Sequence, residues 1–117
     1  MITVIGSLKG GSGKSTVTFN LAVWLALAER DVVVIDADPQ STLSDVLEVR
    51  REEGYEPTVA RLDSSLLYEP EVLADRGDVL IDVGTASMDH LRQALSIADR
   101  VLVPVPPSQA DIWSTQR

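Results

Sequence analysis

The chain has 117 residues, 44% of them hydrophobic and 24% charged, which is room for one domain of ordinary globular composition and excludes a disordered or collagen-like chain. It has no cysteine, so disulfides, thiolate metal sites and cysteine-held iron–sulfur clusters are excluded together. Ten Lys and Arg stand against 18 Asp and Glu, giving a formal charge of −8, which disfavours a surface built for polyanions.

The charge is unevenly spread. In residues 1–40, Lys9, Lys14 and Arg30 nearly balance Glu29, Asp31, Asp36 and Asp38, so the remainder carries almost all of the excess. An anionic ligand meets least repulsion at the N-terminal end, and the acidic remainder reads as solvated surface. The longest uncharged run in a helical segment, Val17 to Ala28, is too short to span a bilayer. Met1 to Gly6 has no basic region ahead of an apolar stretch, so no secretory signal is expected and the chain reads as cytoplasmic.

In chain order, Ile2 to Ile5 reads as a first strand. Lys14 to Glu29 reads as a helix, with Val17, Leu21, Trp24, Leu25 and Ala28 forming one buried stripe and Trp24 in the core. Val32 to Ile35 is a β-branched apolar run, the pattern of a strand covered on both faces. Ser44 to Glu53 is a short polar helix carrying Val46, Leu47 and Val49. Thr58 to Ala60 is a weak further strand. Glu71 to Asp75 reads as a helical turn with Pro70 in its first turn. Val79-Leu80-Ile81 and Val101-Leu102-Val103 repeat the buried-strand pattern. Between them Ser87 to Ala98 is a helix with Met88, Leu91, Leu95 and Ala98 on one side, and His90 on an exposed face. Ser108 and Asp111 are spaced as a helix N-cap pair, and Trp113 follows in core or interface. This alternation predicts an α/β fold, a parallel sheet flanked by helices. The sheet would keep an uncovered flank where the sequence stops, so the domain over 1–117 is expected to be the N-terminal portion of a larger one.

Three segments carry chemistry. Lys9-Gly10-Gly11-Ser12-Gly13-Lys14-Ser15-Thr16 follows a predicted strand and opens a predicted helix. Glycines there let successive backbone N–H groups turn toward a phosphate, and the helix N-terminus adds partial positive charge. Lys14 can reach β- and γ-phosphates, and Ser15 can offer its hydroxyl to Mg²⁺. Leu8 stands where the general phosphate-loop pattern has its first glycine. Asp36-Ala37-Asp38-Pro39-Gln40 follows the second strand; two carboxylates at a strand end can hold the water shell of magnesium and orient an attacking water. Asp-Pro is also a common turn pair. Asp82 ends the run Val79-Leu80-Ile81, where a rigid strand could aim it at a metal or an Asp could simply cap a turn. Gly84-Thr85-Ala86-Ser87 could form a γ-phosphate-sensing loop. A dinucleotide-binding reading, from Gly11-Ser12-Gly13 with Asp36, lacks the small residue it needs at Thr16 and has no use for Lys14.

The block Lys-Gly-Gly-Ser-Gly-Lys-Ser-Thr resembles the deviant Walker A motif of the ParA/MinD family of P-loop ATPases (SIMIBI-type NTPases). Val-Ile-Asp-Ala-Asp-Pro-Gln is similar to that family's Walker A prime, and Val-Leu-Ile-Asp to its Walker B strand. Asp99-Arg100-Val101 through Pro107-Ser108 and Asp111 resembles the segment around the fifth strand. The Asp-Pro-Gln variant and the short interval from Asp38 to Asp82 resemble the small plasmid-partition ParA proteins. The missing cysteines disfavour the nitrogenase iron protein and cluster carriers, the missing cysteines and missing doubled domain disfavour arsenical-pump ATPases, and the lack of a terminal tyrosine cluster beyond Tyr55 and Tyr68 disfavours tyrosine autokinases.

The resemblance implies a Mg-ATP-dependent ATPase switch for plasmid or chromosome partitioning. ATP would join two subunits in a sandwich homodimer, and a centromere-binding ParB-type partner would stimulate turnover. Lys9 would be the signature lysine reaching the partner's phosphates, and Lys14 the phosphate lysine in cis. Gly10, Gly11, Ser12, Gly13 and Thr16 would cradle the phosphates, Asp38 would position the attacking water, and Ser15, Asp36 and Asp82 would hold Mg²⁺. Full-length relatives bind DNA nonspecifically through later segments; the charge of −8 argues against it here. The alternatives are a nucleotide-binding regulatory module without useful hydrolysis, such as a truncated paralogue, and more remotely the dinucleotide-binding domain.

Overall fold

The computed structural model describes residues 1–7, 14–37, 42–54, 59–84 and 88–103. Five strands form one parallel sheet: β1 (Ile2–Ser7), β2 (Val32–Asp36), β3 (Ala60–Leu62), β4 (Asp78–Gly84) and β5 (Arg100–Leu102), in the order β3-β2-β4-β1-β5. The helices are α1 (Lys14–Leu27), α2 (Thr42–Glu52), α3 (Pro70–Leu73) and α4 (Met88–Ile97), with a 3-10 helix at Ser64–Tyr68. The expected α/β architecture is therefore present.

The chain order fixes which face each helix covers. From β1 to β2 to β3 the chain moves one way along the sheet; from β3 to β4 to β5 it moves back. Right-handed crossovers put helices of opposite travel on opposite faces. Two apolar clusters record this. Ile5, Val32, Val34 and Leu80 meet Ala22 and Leu25 of α1 and Leu43 and Leu47 of α2. Val4, Val33, Ile35, Val79, Ile81 and Val83 meet Leu67, Leu73 and Ala94 on the other side. Alternate residues of one strand enter different clusters, as strand geometry requires. Both faces of β2 and β4 are thus covered, which is why those runs read as continuous apolar sequence.

Several expectations need correction. Trp24 is 64% exposed; it is not a core residue. The buried line of α1 runs through Thr18, Ala22 and Leu25, with Leu21 half-buried and Val17 and Ala28 exposed. Apolar side chains surround α1, so periodicity could not choose the face, and the sheet takes the side whose small Thr18 and Ala22 permit close approach. The helix also ends before Glu29. The Arg30 amide donates to the Leu25 carbonyl and the Glu29 amide to Ala26, while Glu29 has φ 62°, a Schellman stop without its usual glycine. On α2, Val46 and Val49 are exposed, and Leu43 and Leu47 enter the core. On α4, Met88 and Leu95 face outward, and Ala94 is buried with Leu91, Ile97 and Ala98 beside it. The weak third strand sits two residues later than expected, over Ala60–Leu62. The fifth is an edge strand, with Val101 at 46% and Val103 at 48% exposure; it is not buried on both faces. His90 is half-buried, its ring 6.1 Å from that of Tyr68, and is not on an exposed face.

Candidate nucleotide site

In a doubly wound sheet, ligands bind beyond the C-terminal strand ends, between adjacent strands whose onward connections leave to opposite faces. Here β1 and β4 are hydrogen-bonded neighbours, with Ser7 in register with Gly84. The connection from β1 returns as α1 on one face; that from β4 returns as α4 on the other. Topology alone therefore marks the end of β1 and β4 as the crevice. The segment 8–13 leaves β1 at this point, and α1 begins at Lys14, so the helix N-terminus and its amide groups stand at the same end of the sheet.

Two predicted carboxylates come together there. Asp36 ends β2, Asp82 lies in β4, and the two are partners in the parallel register. The Ala37 amide donates to the Asp82 carbonyl at 2.8 Å and extends the pairing past the strand end. Leu80 enters the cluster under α1 and α2, whereas Ile81 and Val83 enter the opposite one; strand alternation thus turns Asp82 toward α1. Asp36 shares that face. Its Oδ2 accepts the Ser44 backbone N–H at 2.9 Å and the Ser44 hydroxyl at 2.7 Å. One carboxylate oxygen therefore satisfies a first-turn amide of α2 that has no partner within the helix, and places negative charge at its N-terminus. Asp36 both presents a carboxylate and seats α2, a structural use that sequence reasoning missed; Asp36 followed by a serine at the start of a helix was the available signal.

Asp82 has no exposed surface and Asp36 is half-buried. A buried carboxylate requires hydrogen bonds or positive charge around it. The chain's two lysines are Lys9 and Lys14, and Lys14 opens the helix toward which Asp82 faces. Paired, oxygen-only donors suit a hard cation such as Mg²⁺, which keeps most of its waters and is held by one or two carboxylates rather than by a closed protein cage. Among the described residues no group of three or more His, Asp or Glu forms such a cage. Lys9, Gly10, Gly11, Ser12, Gly13 and Asp38 lie outside the described residues, as do Thr85 to Ser87 of the expected sensing loop and Trp113. Lys14, Ser15 and Thr16 are placed by their backbone in the first turn of α1.

Comparison with known proteins bears on the family and the fold. The CobQ/CobB/MinD/ParA nucleotide-binding domain family matches residues 3–111. The chain is 34% identical over 113 residues to a maintenance of carboxysome distribution protein A from Gloeobacter kilaueensis, covering 89% of this chain and 48% of that protein. It is 42% identical over 50 residues to the chromosome-partitioning ATPase Soj from Thermus thermophilus, covering 43% of this chain and 20% of that one. The chain thus spans half or less of the length of these relatives. In fold it is similar to cobyrinic acid a,c-diamide synthase from Mycobacterium smegmatis with bound ADP and magnesium. The TM-score is 0.64 at 21% identity, over 98% of this chain and 66% of that one. Among the described residues no helix is long and apolar enough to cross a membrane.

Proposed function

This chain belongs to the CobQ/CobB/MinD/ParA nucleotide-binding domain family, and we propose that it is the nucleotide-binding portion of a Mg-ATP-dependent ATPase switch of the ParA type. The observation that carries the reading is the register pair Asp36 and Asp82, on the face of α1, at the same end of the sheet as the finish of β1, which the glycine-rich segment follows in sequence.

In this reading the backbone amides of Gly10 to Gly13 and the start of α1 hold the phosphates, with Lys14 on the β- and γ-phosphates and Thr16 on the α-phosphate. Ser15, Asp36 and Asp82 hold Mg²⁺, the carboxylates through its waters. Bound there, the cation supplies charge neutralisation on the phosphate oxygens. Asp38, two residues beyond Asp36, orients the attacking water and accepts its proton through a hydrogen bond. Lys9 reaches the phosphates of a second subunit, so that nucleotide joins two copies and hydrolysis parts them. The cargo is DNA, in plasmid or chromosome partitioning with a ParB-type partner; the similarity to a carboxysome distribution protein supports positioning of a protein body as the second reading.

The test is Mg²⁺-dependent release of phosphate from ATP by the purified chain. Release by the parent, lost in both Lys14→Ala and Asp38→Ala, with ATP binding kept only in Asp38→Ala, is the expected result. Binding without release in the parent, alone and with a ParB-type protein, would replace the ATPase with a non-hydrolysing regulatory module.

A further inference from the structure

A cavity of about 620 Å³ lies between the C-terminal end of α1, α2 and strands β2 and β3, its lining reaching Ser44, the partner of Asp36. Five arginines line it: Arg30, Arg50, Arg51, Arg61 and Arg76, against Asp31 and Glu48. The chain has only eight arginines and a net charge of −8, so this one concavity gathers most of them on an otherwise acidic molecule. Two are matched internally, Arg30 by Asp78 at 2.6 Å and Arg51 by Glu48. Arg50 stacks over the Phe19 ring, 5.7 Å from its centroid, which fixes its position. Arg61 and Arg76 are exposed and form no ion pair among the described residues.

We propose that this cavity binds a compact oligophosphate anion, at a second site distinct from the strand-end crevice. The volume falls within the range of small-molecule sites. Guanidinium forks match phosphate oxygens in pairs and keep their charge at every working pH. Five arginines against Asp31, Glu48 and the Asp78 that pairs with Arg30 leave an excess of two positive charges, which suits a multiply charged anion. A compact anion can reach the arginines without running over the rest of a molecule whose net charge is −8, whereas a nucleic acid strand would extend beyond the cavity.

The test is calorimetric titration of tripolyphosphate, in EDTA and low salt, into the full chain carrying Lys14→Ala, which disables the phosphate loop. The expected result is binding that weakens at least tenfold in Arg61→Ala/Arg76→Ala and that falls as salt is raised. Both positions are exposed, so the fold should persist; an unchanged far-ultraviolet circular dichroism spectrum checks it. ATP and GTP titrated into the same variant separate a nucleotide's phosphate tail, bound as tightly as tripolyphosphate, from a free oligophosphate, bound alone. No binding, or binding indifferent to the two arginines, would overturn the proposal. So would tighter, arginine-dependent binding of a single-stranded oligonucleotide, which would make the cavity part of a strand-binding surface. Because the phosphate loop is disabled throughout, these outcomes are independent of the ATPase reading.

Discussion

The two ends of the parallel sheet treat polar groups in opposite ways. Where the strands begin, the polar groups close on one another. The N-terminal ammonium donates to the Gly77 carbonyl at 2.6 Å and the Val79 amide to Met1 at 2.9 Å. The Asp78 amide donates to the Asp31 carbonyl at 2.7 Å, and Arg30 pairs with the Asp78 carboxylate at 2.6 Å. The Ile2 amide donates to the Asp99 carboxylate at 2.7 Å and the Asp99 amide returns to Ile2 at 2.8 Å. Where the strands finish, Asp36 and Asp82 are set side by side in a crevice, beside a helix N-terminus. Neighbouring carboxylates repel; the Ser44 amide and hydroxyl offset part of this at Asp36, and a cation would offset more. The first end stabilises the fold, and in the proposed function the second receives the ligand. Substitutions at the starts should therefore change the melting temperature and leave the nucleotide response alone, and substitutions at the finishes should act mainly on the nucleotide response, except at Asp36, which also seats α2.

The largest separation is expected from Asp82→Asn, which keeps the shape of the buried side chain. It should weaken Mg-nucleotide binding by roughly 10–100-fold, the usual cost of losing a group that orients metal-bound ligands, as read by titration at fixed Mg²⁺. Nucleotide affinity in EDTA should barely change. At the opposite end, an added Cβ at Gly77 would stand 2.7 Å from the Asp31 carbonyl oxygen. Backbone cannot give way cheaply, so Gly77→Ala should cost about 1–3 kcal/mol in urea unfolding, with nucleotide affinity kept. Asp78→Asn should cost about 1 kcal/mol, because it weakens a charge-assisted bond whose arginine is partly solvated.

The smallest effect lies outside both ends. Ser65 holds the Asp63 carboxyl below the usual aspartate range, first through its hydroxyl and then through its amide at 3.1 Å. A depressed carboxyl contributes stability that is present above its unfolded value and lost as pH falls through the folded one. Asp63→Asn should therefore lower stability slightly at neutral pH and flatten its loss below about pH 4, where parent and variant converge, measured by urea unfolding across pH.

What could be read from the sequence follows the same division. β2 and β4 were legible because both faces are covered and their apolar runs are unbroken. The carboxylates at their ends were legible because each directly follows or closes such a run. The face of α1 was not, since Trp24, Leu27 and Val17 are as apolar as the residues that the sheet selects. The 3-10 helix at Ser64–Tyr68 was missed, although Asp63 ahead of Ser64 and Ser65 is a capping signal. The clamp at the strand starts joins residues as far apart as Met1 and Gly77, or Ile2 and Asp99. No local spacing reveals such a contact; only the strand order brings it about. The arginine cavity is of the same kind, gathered from α1, α2, β3 and the turn before β4.

The most direct test is thermal unfolding with and without Mg-ATP, on the parent, Gly77→Ala and Lys14→Ala. A ligand that binds only the folded state at about 100 times its Kd adds roughly 2.7 kcal/mol. The account predicts that the parent gains melting temperature with Mg-ATP, that Gly77→Ala melts lower but gains as much, and that Lys14→Ala gains much less. No gain in the parent, or an equal gain in Lys14→Ala, would contradict the claim that the strand finishes form the nucleotide site.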